Sequence, residues 1–178
     1  VRILPGARRG EGVAARLLAR LTDSPDRAAP PCPHVGACGG CTVQHLTEGA
    51  YCRWKAGLLA DALRRAGFPD TPIDPLVPAA PATRRRADLA LRDGAVGFHE
   101  RASSRVVDVP SCRVLDPAIL ALAGHLRGLA RDLACLRPAA EAQVNLLDTG
   151  ADLVLRGARE PDLAERERLA AFAEAADL

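Results

Sequence analysis

The stretch Cys32-Pro33-His34-Val35-Gly36-Ala37-Cys38-Gly39-Gly40-Cys41 places three thiols within ten residues. Gly36, Gly39 and Gly40 allow the positive φ values with which a chain folds back around one centre, and Pro33 sets φ just after the first thiol. This is the pattern of a metal site. Tetrahedral zinc and cubane iron–sulfur sites both take four ligands. The candidates for the fourth are Cys52, Cys112, His34 and His45.

Zinc ribbons bring ligands in two short-spaced pairs, whereas here a C-x5-C-x2-C triplet is followed only by isolated cysteines. That arrangement favours iron–sulfur, in which a local triplet combines with one distant cysteine. Cys112 suits the distant role, because Pro110 and Ser111 place it in a loop just past an expected strand. Cys52 and Cys135 read as packed thiols, and His45 as a residue leading into a helix. A zinc knuckle completed by His34 or His45 is the rival reading.

Composition narrows the class. The chain has 178 residues, 48% of them hydrophobic, enough for one ordinary domain or two small ones. A net charge of +2, from 24 basic and 22 acidic residues, gives no overall basic field that would by itself argue for nucleic acid. Lys55 is the only lysine, so the positive charge is almost all arginine, whose planar fork suits phosphate. No apolar run approaches the roughly 18–20 residues that cross a bilayer, and the N-terminus lacks the apolar core of a secretory signal. A cytoplasmic, reduced protein is the expectation. The chain starts at Val1, contains no methionine and stops inside the helical pattern Ala-Glu-Ala-Ala-Asp-Leu, which suggests a piece of something longer.

Along the chain, Val13, Ala15, Leu17, Ala19 and Leu21 alternate as in a strand, with a helix as the alternative because Ala, Leu and Arg are good helix formers. Thr47-Glu48 opens a helix with Tyr51, Trp54, Leu58, Leu59, Ala62, Leu63 and Ala66 on one stripe, ending at Gly67. Five prolines in 69–82 predict an irregular crossing. Strands are expected over 86–92 and 95–99 about the Asp93-Gly94 turn, with a third over 105–109. Asp116-Pro117 reads as the cap and first residue of a helix running toward Cys135. A second hairpin turns at Asp148-Thr149-Gly150, and a last helix begins near Pro161. These elements define an α+β fold.

Cys32-Pro33-His34, Cys38-Gly39-Gly40-Cys41, Gln44-His45-Leu46 and Trp54-Lys55 resemble the cluster motif of the iron–sulfur, S-adenosylmethionine-dependent RNA uracil-C5 methyltransferases, 23S rRNA type. Gly97-Phe98-His99 and Val106-Val107-Asp108 leading to Cys112 extend the resemblance over essentially the whole chain. It implies that Cys32, Cys38, Cys41 and Cys112 ligate a [4Fe–4S] cluster serving folding and RNA recognition. It also implies that residues 1–31 are the remnant of a small RNA-binding β-barrel and its lead-in, 32–68 the cluster loop and helix, and 69–178 a central α+β domain.

The family's Rossmann-like domain, which holds S-adenosylmethionine and the cysteine that attacks uracil, is not found in these 178 residues. No Gly-rich loop follows a strand, and no cysteine has an evident partner base. The implied protein is a monomer that binds RNA, 23S rRNA by resemblance, needs no membrane, and is catalytically silent as this chain alone. Where the family has Tyr-Arg at the start of the central hairpin, this chain has Thr83-Arg84-Arg85-Arg86. Arg84, Arg85 and Arg86 are the candidate phosphate contacts. With 3% aromatic residues, recognition would rest on arginine and shape. A stand-alone zinc-binding RNA module and a ferredoxin-like electron carrier are the readings from other classes.

Overall fold

A computed structural model describes residues 1–176 and 178, the side chain of Arg9 apart. The fold is α+β, with three α-helices and two antiparallel sheets among the described residues, neither closed into a barrel. Two compact units divide the chain, one built from residues 1–29 and 45–76, the other from 30–44 and 77–178.

In the first unit, β1 (Arg2–Arg9) pairs with β2 (Gly12–Ala19) as a two-stranded antiparallel ribbon, as the alternation of Val13 to Ala19 predicts. Helix α1 (Glu48–Arg65) starts where expected, because the Thr47 side chain accepts from the Ala50 N–H at 3.3 Å and Glu48 favours the positive end of the helix dipole. Asp26 secures this helix start twice. Its carbonyl accepts from Thr47 N at 2.8 Å, and its carboxylate pairs with Arg53 at 2.6 Å. Of the α1 residues only Ala50 is buried, while Trp54, Leu58 and Leu59 are 42%, 47% and 50% exposed. A helix and a two-stranded ribbon have too little surface to cover such a stripe within one small unit. Lys55 lays its ammonium over the rings of Tyr51 and Trp54 instead, 5.8 and 5.5 Å from their centroids.

The second unit carries the core. Strands β3 (Arg86–Arg92), β4 (Ala95–His99), β5 (Val106–Asp108), β6 (Ala139–Leu147) and β7 (Gly150–Arg156) form one antiparallel sheet in the order β5-β4-β3-β6-β7. Asp93 and Gly94, with φ of 51° and 81°, make the tight left-handed turn that their sequence signals. Helix α2 (Pro117–Asp132) is capped by Asp116, whose carboxylate accepts from Ala118 N at 2.9 Å. Its buried side, Ile119, Leu122, Ala123, Leu126 and Ala130, packs in one cluster with Leu89, Leu91, Val96, Ala142 and Val144 of the sheet. The helix stops short of Cys135, because Leu133 turns extended and Ala134–Leu136 form a separate 3-10 turn. The third strand is also shorter than expected, three residues rather than five. Helix α3 (Leu163–Ala175) opens with a capping box between Asp162 and Glu165.

One glycine decides the edge of the sheet. A Cβ at Gly97 would lie 2.1 Å from the Val107 carbonyl oxygen, so β4 and β5 approach closely only because that position has no side chain.

Candidate metal centre

The segment Pro30–Gln44 is a chain of turns. Val35 N donates to Cys32 O at 3.3 Å, Cys38 N to His34 O at 2.9 Å, and Gly36 has a φ of +95°. The loop is fastened to the sheet at the end of β4, where Gly39 N donates to His99 O at 2.9 Å and Cys38 bridges antiparallel to Glu100. A Cβ at Gly39 would sit 2.7 Å from that His99 oxygen. Of the three loop glycines, Gly36 therefore supplies the reversed φ, while Gly39 supplies room for the docking.

Cys112 arrives from a distant part of the chain. After β5, Val109 N donates to Val96 O at 3.1 Å, and the chain then turns to run parallel to residues 82–84, with Arg84 N donating to Val114 O at 3.0 Å. Asp108 holds the start of this turn. Its Oδ1 accepts from Val96 N at 3.0 Å and from Arg127 Nε of α2 at 2.8 Å. Burial pushes the Asp108 carboxyl up, but the Val96 N–H, the Arg127 guanidinium and the Val109 N–H outweigh it and hold the group below the ordinary carboxylate range.

Cys32, Cys38, Cys41 and Cys112 thus line one small pocket. The rest of its wall is mostly apolar, from Val35, Phe98, Val109 and Leu115, with His34, Gln44 and Arg84 as the polar members. Two thiols receive backbone donors, Cys38 from Gly40 N and Cys112 from Val114 N, both at 3.4 Å. Burial raises the Cys38 thiol above its ordinary value, the Gly40 N–H opposes this, and the neighbouring Cys41, Cys32 and Cys112 raise it further. Mutual repulsion of this kind is what a bound cation relieves. Among the described residues, no group of three or more His, Cys, Asp or Glu side chains is placed so that it could hold a metal ion. The thiols are walls of a shared pocket rather than a closed polyhedron. Four soft sulfur donors without a carboxylate among them match the donor chemistry of zinc or an iron–sulfur centre.

The other candidates differ in their settings. Cys52 is on α1 in the first unit, and Cys135 is 2% exposed in the 3-10 turn, where its N–H donates to the buried Glu165 carboxylate at 3.0 Å. His45 is also in the first unit, where its carbonyl accepts from Ala28 N at 2.9 Å. His34 does line the pocket, and its Nε2 is 3.4 Å from Ser111 Oγ.

Arg84, Arg85 and Arg86 line an open groove of about 650 Å³ with Phe98, Asn145 and Leu146. Arg85 is paired with Asp148 at 2.8 Å. Arg84 and Phe98 border both the groove and the thiol pocket, a juxtaposition that residue spacing does not reveal. Gln44 was also beyond reach of the sequence as a pocket residue, although its place three residues after Cys41 was a signal.

The chain with these four thiols on one pocket is similar in sequence to proteins named as RNA methyltransferases, several of them 23S rRNA (uracil-C5)-methyltransferases. The chain is 36% identical to the 23S rRNA (uracil(1939)-C(5))-methyltransferase RlmD of Enterobacter over 166 residues, which is 89% of this chain and 37% of that protein. It is 36% identical over 154 residues to an uncharacterized RNA methyltransferase of Caulobacter vibrioides, with 83% of this chain and 37% of the relative covered. With the RlmD of Alkalilimnicola ehrlichii the identity is 34% over 181 residues, covering 97% of this chain and 41% of the relative. The chain thus spans well under half the length of these curated relatives. No family model matches it. No helix among the described residues is long and apolar enough to cross a membrane.

Proposed function

We propose that this chain is the cluster-bearing, RNA-binding portion of an S-adenosylmethionine-dependent RNA uracil-C5 methyltransferase acting on ribosomal RNA in the cytoplasm. The observation that carries the proposal is the meeting of Cys112 with Cys32, Cys38 and Cys41 on one pocket, in a chain similar in sequence to RNA methyltransferases. Cys32, Cys38, Cys41 and Cys112 would hold a [4Fe–4S] cluster. When bound, the cluster supplies a four-point tie between the Pro30–Gln44 loop and the segment after β5.

The chain's own residues prepare that tie. The Gly39 N–H anchors the loop to His99, and the Asp108–Arg127 pair fixes the turn that presents Cys112. Beside the pocket, Arg84 and Arg86 would take RNA phosphates, with Arg85 held partly back by Asp148. Residues 1–31 would be the remnant of a small RNA-binding barrel and 69–178 the central domain, while S-adenosylmethionine and the attacking cysteine belong to a further domain outside these 178 residues.

The test is anaerobic purification of the chain, with its visible absorption and its iron, sulfide and zinc content. A brown protein with about four irons and four sulfides supports the reading. A colourless protein with one zinc replaces it with a stand-alone zinc-binding RNA module. The isolated chain should transfer no methyl group to rRNA above background, and measurable transfer would overturn the assignment of catalysis to another domain.

A further inference from the structure

Gln44 closes the thiol loop and lines the same pocket as Cys32, Cys38, Cys41 and Cys112. Its Oε1 is buried and finds no hydrogen-bond partner among the described residues. Burying an amide oxygen without a donor is costly, and side chains so placed ordinarily answer to something that occupies the space beside them. The neighbouring wall explains why the oxygen finds no partner. Its sulfur atoms are acceptors once deprotonated, and of the remaining lining only the side chains of His34 and Arg84 carry N–H donors, neither of which reaches the oxygen. A half turn about the last side-chain bond exchanges Oε1 for the Nε2 amide, which carries two N–H donors.

We infer that Gln44 is a positioning and tuning residue, whose side-chain amide donates an N–H to a sulfur of the metal–sulfur centre held by the four cysteines. The inference rests on the cluster reading proposed above. The site already uses donors of this kind, since Gly40 N reaches Cys38 Sγ and Val114 N reaches Cys112 Sγ. Those two come from the backbone, where only a proline would remove the donor, and it would also disturb the turn. Gln44 adds a side-chain donor to the same wall, and can therefore be tested.

Hydrogen bonds to cluster sulfur stabilise the more negative, reduced state and so raise the reduction potential. The full chain is reconstituted anaerobically with iron and sulfide as wild type, Gln44→Met and Gln44→Leu. Each is titrated with dithionite as the electron donor and reoxidised, while the cluster signal is followed. Met keeps the length of Gln without a donor, and Leu also removes the donor in case Met packs badly. The expected result is unchanged iron content with a lower midpoint in the variants. A tenfold loss of preference for the reduced state corresponds to about 59 mV for one electron.

Equal midpoints in wild type and variants overturn the inference while leaving the cluster reading intact. Loss of the cluster from both variants makes Gln44 a packing residue and also overturns it. A wild-type chain that takes up no iron and sulfide overturns the cluster reading, and this inference with it.

Discussion

Asp108 shows how much a single carboxylate organises at the edge of the sheet. It joins the β4 backbone at Val96 to Arg127 on α2, four residues before Cys112. Its pKa in the folded chain lies below its unfolded value, so its contribution to stability is complete above the ordinary carboxylate range and is lost as the pH falls through the folded value. Asp108→Asn should therefore lower the melting temperature at pH 7 and narrow the gap to wild type near pH 3. Because the Asp108 side chain is 44% exposed, the effect at neutral pH should stay within about 1 kcal/mol. Thermal melts of both proteins across that range check the sign, and a gap that widens in acid would contradict it. At Gly39 the argument is steric. A methyl group added there would press against backbone rather than a movable side chain, so Gly39→Ala should cost roughly 1–3 kcal/mol and release the loop from His99. Faster amide exchange at residue 39 would report that release. In the arginine groove, Arg86→Ala should weaken binding to an rRNA oligomer and reduce the salt slope by about 1, whereas Arg85→Ala should do less because Asp148 already engages it.

Among the elements, α2 is the keystone of the second unit. Ile119 and Leu126 are fully buried against the sheet, with Leu91, Val96 and Val144 nearby in the same cluster. Leu126→Ala should cost about 2–5 kcal/mol, measured by denaturant unfolding at constant slope. Helix α3 is held differently. Its start depends on Asp162 and on Glu165, a buried carboxylate bonded by Cys135 N, Asp162 N and Arg159. Asp162→Ala should cost about 1 kcal/mol through loss of the cap. The start of α2 was legible because Asp-Pro is a cap followed by a residue that suits the first turn. The end was not, since Leu133 to Leu136 keep helix-forming residues in a segment that the core bends away. The α1 stripe misled in another way: periodicity identifies an amphipathic helix but cannot say whether a neighbour large enough to bury the stripe lies within the same unit.

For the whole molecule, the question is what holds the thiol loop to the sheet. Backbone contacts at Gly39 and Cys38 already join them, so the second unit should fold without metal, and a bound cluster should add to its stability through mass action. Cys112→Ser should abolish that added stability and leave the melting temperature of the metal-free protein nearly unchanged. Melts of both proteins with and without iron and sulfide separate the two effects.

Residues a few positions apart were enough to set the local pieces: the cysteine triplet, the strand alternations, the Asp93-Gly94 turn and the Asp116-Pro117 helix start. The α+β class and the likeness to RNA methyltransferases were also readable from the chain alone. Which residues meet became visible with the folded chain: Cys112 with the triplet, Arg84 and Phe98 between pocket and groove, Asp108 with Arg127, and Gln44 beside the thiols. The reason is physical. Turns and caps are short-range bonds written in adjacent residues, whereas these meetings depend on sheet order and helix packing, which spacing along the chain does not encode.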